Sequence, residues 1–268
     1  MSLKDIKCYV FDMDGTIYLG EQVLPGAIEL IQYLKDQGKR FFFFTNNSSR
    51  SPMRYVDKLN RLGFPEVSRK DILTSADVTI HYLKEHFTDP LVYLAGTPAL
   101  EEQFTSSRIR LCPIDKSITP DVVVLGFDTT FNFDKADYIC SLVVKGLPYL
   151  ATNIDKVCPL EGGNFLPDCG SMAKMIEHAT GRLPKFMGKP FPETAQYILD
   201  VAGVKGNEVA VVGDRIYTDI ATAYNNGLVA IGVLSGEMTM EDINNSDIKC
   251  DYLYRDTLEL LEDLKNDR

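Results

Sequence analysis

The chain has 268 residues, 45% of them hydrophobic, and a formal net charge of −10 from 28 Lys and Arg against 38 Asp and Glu. The hydrophobic share supports one large domain or two modest ones and argues against disorder, while the acidic balance argues against a nucleic-acid or anionic-membrane partner held by bulk electrostatics. No stretch approaches the roughly eighteen uninterrupted apolar residues of a membrane span, and Lys4, Asp5 and Lys7 precede the first apolar run, so a soluble, cytoplasmic protein is expected.

The first apolar run, Cys8 to Phe11, predicts a strand that ends in Asp12-Met13-Asp14-Gly15-Thr16. Extended geometry sends residues i and i+2 to one side, so Asp12 and Asp14 are expected to converge. Such a pair calls for a cation, a shared proton or a reaction. Pro25 then starts a helix whose apolar positions Ala27, Leu30, Ile31 and Leu34 keep helical spacing until Gly38 stops it. Phe41 to Phe44 form a second buried strand, which ends in Thr45-Asn46-Asn47-Ser48-Ser49, and Ser51-Pro52 opens a helix reaching Leu62-Gly63. Further strands are expected at Leu91 to Leu94, Val122 to Leu125, Tyr149 to Ala151, Val209 to Val212 and Val229 to Val233, with helices between them.

Strand and helix taking turns is the pattern of an α/β protein with a mostly parallel sheet. Polar clusters follow three of the strands directly: the Asp12 cluster, the Thr45 cluster, and Gly213-Asp214-Arg215-Ile216-Tyr217-Thr218-Asp219. A fourth, Gly188-Lys189-Pro190, opens a helix beginning near Pro192-Glu193. Ligands of open parallel sheets bind outside the carboxyl ends of the strands, so the clusters can share one crevice. The elements between the second and fourth clusters suggest an inserted domain over residues 79–182, leaving 1–78 and 183–268 as the core.

Each cluster alone has a plain alternative, since Asp-Gly is a common turn and Asp a common helix cap. Together they make one chemical set. Asp12, Asp14 and Asp214 offer hard oxygen ligands for Mg2+, and Thr45 and Lys189 offer donors for phosphate oxygens. A calcium loop fails, because Thr16, Ile17 and Val23 stand where it needs an acidic or Asn residue, glycine and glutamate. The six cysteines show no zinc spacing and read as reduced core thiols, and none of the three histidines borders a chemical strand end.

These four motifs, in this order, resemble those of the haloacid dehalogenase superfamily. The Thr45 cluster, the long insertion and the segment from Ala151 to Ser171 resemble its NagD and 4-nitrophenyl phosphatase branch. The resemblance implies a doubly wound parallel core with an inserted α/β cap, and a phosphatase acting on small phosphorylated metabolites. By the same resemblance Asp12 is the nucleophile and becomes an aspartyl phosphate. Asp14 protonates the leaving oxygen and then takes a proton from the attacking water. Mg2+ is held by the carboxylates of Asp12 and Asp214 and the backbone carbonyl of Asp14, with Asp219 supporting its water shell. Lys189 and Thr45 neutralise phosphate, and Asn46 and Asn47 help hold substrate. The dehalogenases lack an acid two residues after the nucleophile, so Asp14 favours hydrolysis of an oxygen ester.

The cap is expected to set substrate choice through residues 153–171, where Gly162, Gly163 and Gly170 would let backbone approach a ligand. Asn153-Ile154-Asp155 departs from the branch's usual Asn-Pro-Asp, and Cys158 stands near where members that take pyridoxal phosphate carry histidine. Relatives often pair through the cap, so a homodimer is allowed. Two rival readings fit less well. A nucleotide phosphate loop from Gly181 to Lys189 has six residues between its glycines and Pro190 where Ser or Thr belongs. A non-hydrolytic phospho-acceptor module would use the same acidic magnesium pocket but needs only about half this length.

Overall fold

A computed structural model describes residues 2–266. They form two compact units, one comprising residues up to Thr45, Pro52–Leu73 and Lys189 onward, the other Asn46–Ser51 and Thr74–Gly188. The divisions fall where Thr74 caps the helix Ser75–His86 and at Lys189, whereas the sequence reading divides at 78 and 183. Asn46 and Asn47 therefore lie in the second unit, while Thr45 closes a strand of the first.

The first unit is built on a six-stranded sheet in the order Tyr252–Tyr254, Val229–Val233, Val209–Gly213, Cys8–Phe11, Arg40–Thr45, Ile72–Thr74. Cys8–Phe11 pairs in parallel with Val209–Val212 on one side and with Arg40–Phe43 on the other. All four of its residues are buried, as a central strand covered on both faces requires. Tyr9, Phe11 and Phe43 meet Leu30, Ile31 and Leu34 of the helix Ala27–Asp36, and Leu260, Leu261 and Leu264 of the helix Thr257–Asn266, in one core. The strand that comes first in the chain thus lies beside the fourth. That order is doubly wound, and its direction reverses between Cys8–Phe11 and Val209–Gly213, where a crevice opens at the strand ends.

The second unit is a smaller α/β body with its own parallel five-stranded sheet, ordered Lys185–Phe186, Tyr149–Ala151, Val122–Leu125, Leu91–Ala95, Arg110–Leu111. Its core gathers Tyr93, Val123, Leu125, Tyr138, Leu142, Cys169 and Ile176. Residues 153–171 carry a short antiparallel hairpin, Val157–Pro159 with Phe165–Pro167, that periodicity did not announce. The close approach that Gly170 permits is to the loop's own backbone rather than to a ligand, since a Cβ there would stand 2.1 Å from the Ile154 carbonyl oxygen.

All six cysteines are free thiols. Burial pushes those of Cys8 and Cys169 up to about 12 and that of Cys250 up to about 11, so they stay protonated packing groups. Among the described residues no helix is long and apolar enough to cross a membrane.

Candidate active site

The site grows from the reversal point of the first sheet. Asp12 extends the strand by one residue, its N–H donating to the Val212 carbonyl at 2.8 Å. The chain then turns. Gly15 takes φ +87°, its N–H bonds Tyr18 O at 2.8 Å, and Ile17 N–H bonds Met13 O at 3.0 Å. A side chain is excluded at Gly15 twice over, because its Cβ would also lie 2.3 Å from Asp214 Oδ2. This turn ends the extended register that the sequence suggested. Asp12 keeps a side chain 14% exposed, whereas Asp14 is an exposed residue.

Asp214 follows the neighbouring strand and is buried. Thr16 Oγ1 donates to its Oδ1 at 3.2 Å, and the Glu237 N–H donates to its Oδ2 at 2.8 Å. Gly236 leaves room for that approach, since a Cβ there would sit 1.9 Å from Asp214 Oδ2. Asp219 arrives from an unexpected element. Instead of opening an α-helix, Ile216–Ile220 makes a π-helical turn before the helix Ala221–Asn226. Such bulges re-aim a side chain within a helix. Here the turn lets Asp219 accept the Arg215 N–H at 3.1 Å and face Lys189.

Lys189 ties the set together. Its Nζ lies 2.6 Å from Asp12 Oδ1, 2.8 Å from Asp219 Oδ1 and 3.4 Å from the carbonyl oxygen of Phe44, beside Thr45. Carboxylate oxygens of Asp12, Asp214 and Asp219 come within 4.8 Å of one another. Burial, reinforced by Asp219 and Asp214 against the opposing Lys189, pushes Asp12 up to about 8. Burial and Asp219 push Asp214 up to about 6. For Lys189, burial alone would lower the pKa, but Asp12 and Asp219 outweigh it and raise it. Two buried acids and a half-buried one outnumber the buried Lys189 and the neighbouring Arg215, a charge deficit that a divalent cation fits, and the donor set is the all-oxygen kind that Mg2+ takes.

Of the residues singled out in the sequence, Asp12, Asp214 and Lys189 converge, with Asp219 as a full member of the carboxylate group. Asp14, whose expected share in a metal site is its backbone carbonyl, lies outside that group. In the second unit, Asn46 O accepts from Ser75 Oγ at 2.6 Å and from Asn153 Nδ2 at 2.7 Å. Asn47 Oδ1 accepts the Ser49 N–H at 2.9 Å, and its Nδ2 approaches Cys158 Sγ at 3.7 Å. Those contacts join the Thr45 cluster's tail to residues 153–171. Arg215, Tyr217 and Glu237 were not singled out, and no motif spacing marks Glu237.

Comparison with known proteins decides the family. The model of the haloacid dehalogenase-like hydrolases matches residues 9–110, and the model of related HAD-like hydrolases matches 186–260. The chain belongs to the haloacid dehalogenase-like hydrolases. Within them it is a phosphomonoester hydrolase, which sets the non-hydrolytic module aside. It is 32% identical to an acid sugar phosphatase of Staphylococcus aureus over 98% of this chain and 100% of the relative. Its fold matches a 4-nitrophenylphosphatase of Thermotoga maritima with TM-score 0.91 and 39% identity, covering 97% of this chain and 98% of that one. A glycerol phosphate phosphatase of Mycobacterium tuberculosis in complex with magnesium matches with TM-score 0.89 and 30% identity, over 98% of this chain and 79% of that one.

Proposed function

We propose that this hydrolase is a magnesium-dependent, cytoplasmic phosphatase of small phosphomonoesters, sugar phosphates and glycerol phosphate among them, working through an aspartyl phosphate on Asp12. The observation that carries the reading is the meeting of Asp12, Asp214 and Asp219 around a single lysine. Asp12 and Asp214, with the backbone carbonyl of Asp14, would hold the ion, and Asp219 would support its water shell. When bound, Mg2+ offsets the repulsion between the carboxylates and the phosphate dianion and stabilises charge in the transition state.

An Asp12 carboxylate oxygen forms a bond to phosphorus as the ester oxygen leaves with its electron pair, and Asp14 gives that oxygen a proton. The exposed position of Asp14 suits a group that must reach a leaving alkoxide and then water. In the second half Asp14 takes a proton from water, whose oxygen bonds phosphorus while the Asp12 oxygen is released. Lys189 fixes Asp12 and, with Thr45, faces the phosphate oxygens. Asn46 and Asn47, on the second unit, would contribute to holding substrate, residues 153–171 would set substrate choice, and two copies would pair through that unit.

Phosphate release from 4-nitrophenyl phosphate tests the reading. Turnover should require Mg2+, stop with EDTA, and leave phosphate on Asp12 when the reaction is quenched. Turnover that persists undiminished in EDTA, or in Asp12→Asn, would contradict it.

A further inference from the structure

The segment that follows the strand Val229–Val233 is threaded over the acidic group. Ser235 Oγ donates to the Gly15 carbonyl at 2.7 Å, and the Met238 N–H donates to the Asp214 carbonyl at 2.8 Å. Between them stands Glu237, with three ties. Its N–H holds Asp214 Oδ2 at 2.8 Å, its Oε1 accepts from Tyr217 O–H at 3.0 Å, and its Oε2 lies 3.0 Å from Arg215 Nε. Glu237, half-exposed, thus hydrogen-bonds a carboxylate of the site and forms an ion pair, without hydrogen-bond geometry, with the cation next to that carboxylate in sequence.

Arg215 matters because of where it starts. It directly follows Asp214, and its own N–H is spent on Asp219 Oδ2 at 3.1 Å. Its side chain is only 22% exposed. Although burial works against the charged form, Asp12, Tyr217, Asp219 and Asp214 favour it, so the guanidinium stands in the field of the three carboxylates and of Tyr217. A guanidinium is permanently charged and forks onto carboxylates. Released toward Asp12 and Asp214, it would occupy the oxygens a metal needs.

We propose that Glu237 is a positioning residue that holds the Arg215 guanidinium off the Asp12, Asp214 and Asp219 carboxylates, so that they stay available to a divalent ion. Tyr217 fixes the other oxygen of Glu237 and thereby the direction in which it pulls. The inference rests on the proposed metal site, and it assigns to Glu237 an action that operates through Arg215 rather than through its own charge.

That distinction makes it testable. Calorimetric titration with MgCl2 is run on the unsubstituted protein, Glu237→Gln, Arg215→Met and the double variant. Glutamine keeps the shape and the Tyr217 bond but lets the guanidinium go. Glu237→Gln should weaken Mg2+ binding about tenfold, a size usual for partners of metal ligands. Arg215→Met should bind Mg2+ at least as tightly as the unsubstituted protein. In the Arg215→Met protein, adding Glu237→Gln should then cost nothing. Melting temperatures of the four metal-free proteins should agree, which separates a released arginine from a collapsed loop. An equal loss of affinity on Glu237→Gln with and without Arg215 would show an ordinary field or folding effect and overturn the proposal. No loss in either would overturn it as well. If the unsubstituted protein takes up no Mg2+, the metal site falls with it, whereas normal uptake with additive losses removes this inference alone.

Discussion

The two parallel sheets of this chain each reverse direction once, and the reversal points have opposite chemistry. In the first unit the point between Cys8–Phe11 and Val209–Gly213 is followed by Asp12 and Asp214, with more acid than the protein neutralises. In the second the reversal lies between Leu91–Ala95 and Val122–Leu125, and its crevice is plugged. A Cβ on Gly126 would meet Leu100 Cδ2 at 2.3 Å, and Ser48 Oγ accepts the Phe127 N–H at 3.0 Å. The acid there, Asp128, is fully satisfied. It lies 2.5 Å from Lys135 Nζ and accepts the Thr130 N–H at 2.8 Å and the Thr130 hydroxyl at 2.6 Å. Architecture alone therefore does not make a site. What distinguishes the two crevices is whether buried charge is balanced within the fold.

The sharpest way to break the comparison is to remove acids from the unbalanced crevice. Asp12→Asn should lower phosphate release from 4-nitrophenyl phosphate by about a thousandfold or more, since it deletes the proposed attacking group. Lys189→Met should cost on the order of 10²-fold in turnover, because it removes a cation fixed at the carboxylate proposed to react. Its metal-free form should melt lower in thermal denaturation, the buried Asp219 and the half-buried Asp12 having lost their partner. In the balanced crevice, Asp128→Asn should cost stability instead, about 3 kcal/mol in urea denaturation, by leaving the half-buried Lys135 without its counter-charge. Its Mg2+ affinity, read by calorimetry, should not change. A weakened affinity there would mean the crevices are not separate in function.

A smaller effect concerns pH. In the metal-free protein burial pushes Asp12 up from an ordinary 3.8 to about 8, and Asp214 up to about 6. The folded state thus resists charging these acids, and its stability should fall as pH rises from about 4 to about 8, then level off. Mg2+ favours the charged forms, so it should raise the melting temperature more at pH 8 than at pH 5. An equal or larger rise at pH 5 would contradict the charge deficit.

Much of this was legible in the sequence, for reasons that can be named. The strands Val122–Leu125, Tyr149–Ala151 and Val229–Val233 fall where continuous apolar runs stand, because buried parallel strands need no alternation. Asp12, Asp214 and Lys189 could be read because each follows a strand or opens a helix, and a strand end fixes a direction. Asp219, by the motif resemblance, is implied only to support the metal's water shell. A single irregular turn, invisible to periodicity, brings it into the carboxylate group. Asp14 was expected to face the way Asp12 faces; the strand ends at Phe11, the left-handed Gly15 turns the chain two residues after Met13, and Asp14 is exposed. Glu237 had no local signal at all. Its place depends on where Ser235 and Met238 bond, across more than two hundred residues in the case of Gly15. The hairpin in residues 153–171 was missed because its strands are three residues each and mostly exposed.

Crystals grown with Mn2+ in place of Mg2+ test the central claim most directly, through the anomalous scattering of the metal. The account predicts one strong peak at the reversal point of the first sheet, within ligand distance of carboxylate oxygens of both Asp12 and Asp214. A peak bound elsewhere, or none in crystals whose dissolved protein is still active with Mn2+, would contradict it.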